Sequence, residues 1–465
     1  MYASDCLIKE VRVSTRMIYK KDWCGDQLDK YTGDALVSLD VLICNQGCEP
    51  VKSSLRAVIT SCDEPQEKTV SVRDLTVSPG EELYKFSFTV SGVRLWSTWD
   101  YGNPSLYNLK LEYADAQYQS RIGMKEAAYD AKTGVWTLNR EKIFLRGVEL
   151  GGDEEDLSVL KEKGVNAVWV ELDQLTEPVL SQCDELGILV CGACSVTEAD
   201  LTPEGITEKA EKAAACAAAA AGHVSLGFYA VDAPLAVYQK ADPENGWMAF
   251  VNVLYESLAS VDPVRPVLFP DRGERRGAAI LSSSQLQKLD PRNLKLPANA
   301  VHVGLPEEAK CGAESDFACW EAEYLRIRKY DPVSALFLAD LKAVECGALR
   351  PVLAAFEPGF FPGENGLKVC IENGKSFTAR IWAVNDCHCR IPDVKLAWTI
   401  TEKESGIVRA GNSFRLNLNP DSAEIPDQPI LVTTSEDQGK EFVLTACLST
   451  DEELLSRNDL IVSVL

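Results

Sequence analysis

Cysteine and histidine are the residues whose spacing first suggests chemistry, and the chain contains 16 cysteines and three histidines. Cys191 and Cys194 form a CxxC pair, but a zinc site of this type uses a second pair of ligands, which the sequence does not offer. Cys387, His388 and Cys389 are consecutive, and consecutive side chains of a strand point to opposite faces. Three histidines are also too few for a site built from several of them. We therefore predict ordinary thiols, no metal and no other cofactor.

Composition and charge restrict the partners of this 465-residue chain. Acidic residues outnumber basic residues by 70 to 47, and the resulting net charge of −23 repels DNA and RNA. The longest basic cluster, Arg272–Arg276, contains a glutamate among its three arginines. No stretch approaches the ~18 apolar residues of a membrane span, and neither a phosphate-binding glycine loop nor a G-x-S-x-G motif occurs. We expect no nucleic acid and no membrane span, and instead a basic protein partner or a homo-oligomer.

The cysteines are scattered from Cys6 to Cys447 and do not form a dense disulfide framework. The first residues, MYASDCLIKEV, contain no basic region followed by an apolar region, so the sequence predicts no signal peptide there. Both observations favour a cytoplasmic protein with reduced thiols.

Residues 1–130 and 351–465 both alternate apolar and polar residues with the period of a strand. Ala35–Cys44 and Leu83–Val90 are examples in the first part. The strand candidates of the last part are Lys368–Ile371, Phe377–Val384, Val394–Ile400, Ser413–Leu418 and Glu441–Ala446. Each part is predicted to be an immunoglobulin-like β-sandwich, and the three prolines of Pro351–Pro362 predict a linker before the second.

Residues 131–350 alternate short apolar runs with helical stretches, which predicts parallel β/α units. The apolar runs are Ala167–Val170, Gly187–Cys191 and Pro266–Phe269. The helix candidates are Glu154–Lys163, Glu177–Leu186, the alanine-rich Ile206–Gly222 and Trp247–Ser260. Because a complete eightfold barrel takes about 250 residues, we predict a shortened TIM-like barrel with trimmed or missing elements.

Short motifs of one enzyme family occur in order along nearly the whole chain. They are Leu95–Ser97, Gly102–Tyr107, Gly123–Lys125, Phe144–Val148, Gly164–Val168, Cys183–Val190, Val261–Val267, Trp382–Asp386 and Leu455–Asn458. Together they resemble glycoside hydrolase family 2, which includes β-galactosidases, β-glucuronidases, β-mannosidases and exo-β-glucosaminidases. The resemblance implies the order sandwich, barrel, sandwich and a carbohydrate ligand. The family's N-terminal sugar-binding jelly roll is missing, so we expect a fragment, a split subunit or a truncated relative.

The resemblance also implies where a catalytic acid would stand. A retaining glycosidase uses two carboxyl groups about 5–5.5 Å apart, and in this family both are glutamates at the carboxyl ends of barrel strands. The acid should end the strand that starts at His223, but Ala233 and Pro234 occupy the family's Asn-Glu positions, and neither can donate a proton. Asp232 is the candidate substitute; the alternative is that it caps the following turn.

The nucleophile should follow a later strand, and the candidate strand Ala298–Leu305 contains no carboxylate. Glu307 and Glu308 come directly after it and are the candidate nucleophiles, although both also fit solvated loop charges. Sugar-binding positions differ as well, because Glu149 follows Arg146–Val148 where the family has Asn, and Trp169 stands where the family has Arg.

Losses at several site positions, with the scaffold motifs kept, indicate a family 2-like protein that has lost catalysis. It would act as a structural or interaction subunit or as a carbohydrate-binding protein. One alternative is an active β-glycosidase with relocated carboxylates, Asp232 with Glu307 or Glu308. Another is one part of a split glycosidase.

Overall fold

The computed structural model describes residues 6–20, 30–130, 133, 135–151, 156–232, 247–269, 279–282, 300–303, 322–323, 325–327, 333–338, 344, 347–358 and 369–465. The chain is mostly β-structure and divides into two compact units, which are described separately. The first comprises residues 1–128, 137–141 and 171–267, and the second comprises residues 129–136, 142–170 and 268–465.

The first unit contains a sandwich of two antiparallel sheets. Its strands are β1 Cys6–Lys20, β2 Lys30–Asn45, β3 Val51–Ser61, β4 Lys68–Val77, β5 Gly80–Ser91, β6 Leu106–Tyr113 and β7 Ala116–Gly123. The sheets have the orders β1-β2-β5 and β4-β3-β6-β7. The predicted alternation is confirmed in β2, where every second residue from Ala35 to Ile43 is fully buried.

Shorter strands and helices follow the first sandwich in the part of the chain that the structure describes. The strands are β8 Ala127–Asp130, β9 Val135–Leu138, β10 Glu141–Ile143, β11 Leu145–Glu149, β12 Ala167–Glu171, β13 Leu189–Ser195, β14 Leu226–Asp232, β15 Val267–Leu268, β16 Ala279–Ser282, β17 Ala300–Val303 and β18 Val333–Leu338. The helices are α1 Leu157–Glu162, α2 Glu177–Leu186, α3 Pro203–Ala220 and α4 Trp247–Val261. In the first unit β13 pairs with β14, and in the second unit the strand order is β12-β11-β18-β17-β16; these strands are parallel.

The helix predictions are confirmed with small shifts at the ends. The predicted span of α2 agrees with the structure, because Gly187 ends the helix in the left-handed conformation at φ 73°. Helix α3 starts at Pro203, three residues before the predicted start, because the Thr202 side chain accepts a hydrogen bond from the Gly205 N–H and caps the helix. Among the residues that the structure describes, no helix combines the length and apolar character needed to cross a bilayer.

The second unit ends in another sandwich. Its strands are β19 Val352–Pro358, β20 Val369–Ile371, β21 Ser376–Asn385, β22 Ile391–Glu402, β23 Val408–Leu418, β24 Ser422–Asp427, β25 Ile430–Val432, β26 Glu441–Ser449 and β27 Leu454–Val464. One sheet has the order β19-β21-β24, with β25 also on β21, and the other has the order β20-β27-β26-β22-β23. The predicted linker at Pro351–Pro362 is wrong for its first part, because Val352–Pro358 pairs along its whole length with β21.

Two arginines and one aspartate form a fully buried charge cluster in the second unit. Asp386 Oδ2 accepts a hydrogen bond from Arg146 Nη1 at 3.1 Å and another from Arg326 Nη2 at 2.9 Å. All three side chains have 0% exposure. The guanidinium groups also donate to backbone carbonyls. Arg146 donates to the carbonyls of Gly164 and Leu349. The cluster therefore ties β11 and a helical segment to the end of β21.

A buried glutamate beside this cluster predicts a pH-dependent stability. Burial raises the pKa of Glu323 to about 7, although Asn458, which donates to its carboxylate at 2.6 Å, acts in the opposite direction. The unfolded chain releases this proton near pH 4.3, so the folded state holds more protons between pH 4.3 and 7. Stability therefore falls as pH rises through that window, by ~3 kcal/mol in total. We expect Glu323→Gln to remove this fall, measured by urea unfolding at pH 5 and pH 8.

The exposed Glu452 provides the matched control for this prediction. Glu452→Gln should leave the difference between the two pH values as it is in the parent chain. An equal difference in Glu323→Gln and in the parent would contradict the role given to Glu323.

Candidate active site

Three polar residues of the first unit each end a strand of the parallel part of the fold. Glu171 is the last residue of β12, Ser195 of β13 and Asp232 of β14. Ser195 and Asp232 are direct partners in the β13–β14 register, and the Val196 N–H donates to the Asp232 carbonyl at 2.8 Å. Barrel enzymes carry their catalytic groups at this carboxyl edge. The edge is therefore the candidate active site.

Glu171 is held firmly by its neighbour on β13. One carboxylate oxygen accepts a hydrogen bond from the Ser195 N–H at 3.2 Å, and the other accepts one from the Ser195 hydroxyl. Both oxygens are thus engaged within the chain. Such an arrangement fixes the orientation of the Glu171 carboxylate at the end of β12.

The cysteines of the CxxC pair lie on β13 between these carboxylates. Burial raises the pKa of the Cys191 thiol well above its usual value, and the negative charges of Glu171 and Asp232 add to this effect. Burial also raises the pKa of Cys194, to about 12. Residues three apart on a strand point to opposite faces, so the two sulfur atoms do not converge. Both groups are protonated thiols at neutral pH.

The recess next to Glu171 is small. It has a volume of about 20 Å³ and is lined by residues that include Cys194, Lys209 and Lys212. Ligand pockets usually measure roughly 300–1,000 Å³. This recess alone does not hold a sugar ring, and the loops that follow β14, β16 and β17 lie outside the described residues.

Of the residues predicted from the sequence, Asp232 is at the candidate edge and is half-buried. Ala233, Pro234, Glu307 and Glu308 lie outside the described residues. The sequence analysis missed Glu171 and Ser195. The available signal was a carboxylate directly after the predicted strand Ala167–Val170, because a residue in that position lies at the carboxyl edge of a parallel sheet.

Trp169, at a position where the resemblance implies an arginine, belongs to the core of the second unit. Its side chain has 1% exposure and packs edge-on against Phe337, with ring centroids 5.4 Å apart. Gly147 leaves room for the same ring, since a Cβ there would lie 2.2 Å from Phe337 Cδ1. Trp169 therefore fills space among other side chains, and it offers no charged group to a ligand.

The histidine of the family pattern lies at the other end of β14 and has a structural role. His223 Nδ1 is 2.8 Å from Asp184 Oδ2, and its Nε2 is 2.8 Å from Glu177 Oε2. Burial disfavours the charged ring, but the two carboxylates outweigh it and raise the pKa of His223. Asp184 also accepts from the Ser225 N–H at 2.7 Å. These residues join α2 to the amino end of β14.

Other motif residues also hold the amino end of β14. Arg265 donates to the Leu226 carbonyl at 2.6 Å and to the Asp262 carboxylate at 2.5 Å. Lys125 donates to the same Leu226 carbonyl at 2.6 Å, and burial lowers the pKa of its ammonium group. On the sandwich side, Trp96 Nε1 donates to the Asp184 carbonyl at 2.8 Å. The described motif residues therefore act as scaffold, at the edge opposite the candidate site.

Comparison with known proteins agrees with these motifs. Residues 25–125 match the family described as "Glycosyl hydrolases family 2". The β-galactosidase of Thermoanaerobacterium thermosulfurigenes is 29% identical over 124 residues, which are 23% of this chain and 17% of that protein. Over residues 25–125 this chain is therefore a relative of glycoside hydrolase family 2.

Solved structures show how far the fold of this relative extends. The β-D-mannosidase of Dictyoglomus thermophilum superposes with a TM-score of 0.73 at 15% identity, over 99% of this chain and 66% of that protein. The exo-chitosanase CsxA of Amycolatopsis orientalis superposes with a TM-score of 0.61 at 12% identity, over 98% of this chain and 64% of that one. This chain thus covers less than two thirds of either protein and shares the multidomain fold of the family 2 glycosidases.

Proposed function

We propose that this protein binds carbohydrate, or serves as a structural or interaction subunit, and no longer hydrolyses ordinary glycosides. The observation that carries the proposal is the sequence after Asp232, where Ala233 and Pro234 stand at the family's Asn-Glu positions. A general acid contributes roughly 10²–10⁴-fold to such a reaction. A further feature supports the loss, because Trp169, which stands where the resemblance implies an arginine, is buried.

The proposed architecture has three parts in the order implied by the resemblance. Residues 1–130 form an immunoglobulin-like sandwich, residues 131–350 a shortened TIM-like barrel and residues 351–465 a second immunoglobulin-like sandwich. A sugar would bind at the carboxyl edge of the barrel strands, near Asp232 and Glu171. Carboxylates that accept hydrogen bonds from sugar hydroxyls suit this site without any proton transfer.

Turnover of two matched panels of aryl β-glycosides tests the proposal. One panel carries activated phenol leaving groups and the other carries ordinary ones. Because a good leaving group needs little protonation, the first panel reports a nucleophile and the second reports an acid as well. We expect no turnover of either panel by a sample that circular dichroism shows to be folded. Methyl β-glycosides of mannose, galactose, glucosamine and glucuronic acid should raise its melting temperature if it binds sugar.

The second candidate function is an active β-glycosidase with relocated carboxylates, and the position of Asp232 at the carboxyl end of β14 favours it. Glu307 or Glu308 would then supply the nucleophile. In that case both panels are turned over, and Asp232→Asn lowers the rate on the ordinary panel by about 100-fold or more. The control is Glu208→Gln on the exposed side of α3. In a split glycosidase, a partner chain would have to restore the missing acid.

A further inference from the structure

Strand β1 presents an open edge of the first sandwich. It forms the end of the sheet β1-β2-β5, and among the described residues its other edge pairs with no strand. The strand is 15 residues long and its register with β2 is regular from Glu10 to Ile18. Proteins usually keep edge strands short, bulged or covered, because an unpaired row of N–H and C=O groups pairs with other chains.

A cavity of about 350 Å³ runs along this edge. Eight consecutive residues of β1, Glu10–Met17, line it. A cavity on one face of a strand contacts alternate residues, because the side chains alternate. A run of consecutive residues therefore places the cavity beside the backbone edge of β1. The eight residues span a length of about 26 Å along the strand.

The facing wall belongs to the same unit. It consists of Ile122–Gly123, Lys125–Ala127, the turn Ala221–Val224 after α3, and Val261–Arg265. We call the space between Glu10–Met17 and this wall the β1 groove.

The side chains of β1 define what such a chain would carry. Val11, Val13 and Thr15 are half-buried on the core side, so they favour small apolar or β-branched partners. Arg12 and Arg16 are exposed on the other side, four residues apart and therefore on one face. Arg16 has no side-chain partner among the described residues. Arg12 contacts Glu10 of its own strand, a pair with exposed side chains of the kind that contributes little.

The acidic residues that line the β1 groove each have a partner within the chain. Glu126 accepts a hydrogen bond from the Tyr19 hydroxyl at 2.6 Å, and Asp262 is paired with Arg265 at 2.5 Å. Lys125 and Arg265 lie in the facing wall, but both are engaged there by the Leu226 carbonyl. Arg16, together with Arg12 whose pair with Glu10 is exposed, supplies the charge that the β1 edge offers to a ligand, and this charge favours an acidic ligand although the net charge of the chain is −23.

We propose that the β1 groove binds an extended acidic peptide segment of a partner protein, which adds as a strand to the open edge of β1. Main-chain hydrogen bonds supply the affinity. The peptide carries two acidic side chains four residues apart, which lie opposite Arg12 and Arg16. Its β-branched residues alternate with these acidic residues. This goes beyond the proposed carbohydrate function and does not depend on it, because the groove lies at the opposite end of β14 from Asp232.

Fluorescence anisotropy with a labelled peptide, acetyl-TVEVTVEVT-amide, tests the proposal on the full chain. We expect saturable binding that weakens with added salt. Replacing both glutamates of the peptide by lysine should weaken binding at least tenfold. The double variant Arg12→Glu/Arg16→Glu should reverse this preference and bind the lysine peptide more tightly. Arg73→Glu, an exposed arginine on β4 of the other sheet, should change neither affinity by more than about twofold.

Two peptides methylated on alternate backbone nitrogens test strand addition itself. Methylation along one edge of the peptide removes the N–H groups that face β1, and methylation along the other edge does not. We expect one of the two peptides to lose binding and the other to keep it. Equal binding of both, no saturable binding of the parent peptide, or an unchanged preference in the double variant would overturn the proposal. So would self-association of the chain through this edge, shown by a dimer that Arg12→Glu/Arg16→Glu dissolves.

Discussion

Asp386→Ala is expected to destabilise the protein by about 4 kcal/mol, measured by urea unfolding at pH 7. The substitution removes the carboxylate that accepts from both Arg146 and Arg326, and all three side chains have 0% exposure. Two buried guanidinium groups would then lack their counter-charge, and breaking a buried ion pair on one side costs roughly 3–5 kcal/mol. If the alanine variant fails to fold, Asp386→Asn should fold with a smaller loss, because the amide oxygen still accepts one hydrogen bond.

Asp451→Ala is the matched control, because it removes an aspartate paired with an arginine at the surface. Asp451 Oδ1 lies 2.6 Å from Arg415 Nη2, and its side chain is 75% exposed. Exposed pairs contribute about 1 kcal/mol or less. Equal losses in Asp451→Ala and Asp386→Ala would show that the buried cluster contributes no more than a surface pair.

Gly164→Ala is expected to cost a similar amount, about 4 kcal/mol. Gly164 has φ +98°, which disfavours any residue with a Cβ by roughly 1–2 kcal/mol. In addition, a Cβ there would lie 2.2 Å from the Leu349 carbonyl oxygen. That contact involves backbone, which moves less readily than a side chain, and overpacking of this kind adds roughly 1–3 kcal/mol. Thermal and urea unfolding of the variant measure the sum.

Two other glycines separate these contributions. Gly374 has φ +76° with no atom within 4 Å of a built Cβ, so Gly374→Ala reports backbone strain alone, about 1 kcal/mol. Gly222 has neither a positive φ nor a close atom, and Gly222→Ala should change stability by about 0.5 kcal/mol or less. A loss in Gly164→Ala no larger than that in Gly374→Ala would contradict the proposed clash with Leu349.

The sequence predicted elements whose determinants are local. Helix α2 agrees with its prediction because both of its signals lie within the segment, a proline in the first turn and Gly187 after the last. The segment Val352–Pro358 was assigned to a linker because proline suggests irregular structure, yet its pairing with β21 decides its conformation. The partner residues lie about 30 positions along the chain, and no local pattern reveals them.

The candidate site was predictable only in part for a similar reason. Asp232 was found because the family pattern aligned with its strand, whereas Glu171 was missed because the family pattern assigns nothing to it. The burial of Asp386 also depends on distant residues, since Arg146 lies 240 positions earlier. From the sequence alone, a charged side chain is expected to be exposed, because its counter-charge is visible only in the structure.

The Arg146–Asp386–Arg326 cluster also bears on how the chain can be divided. Asp386 belongs to the last sandwich, while Arg146 belongs to β11 and Arg326 to a helical segment before β18. A protein cut near residue 351 would expose one face of each piece and leave buried arginines in one piece without their carboxylate. The last sandwich is therefore an integral part of the second unit, joined to it by buried charges.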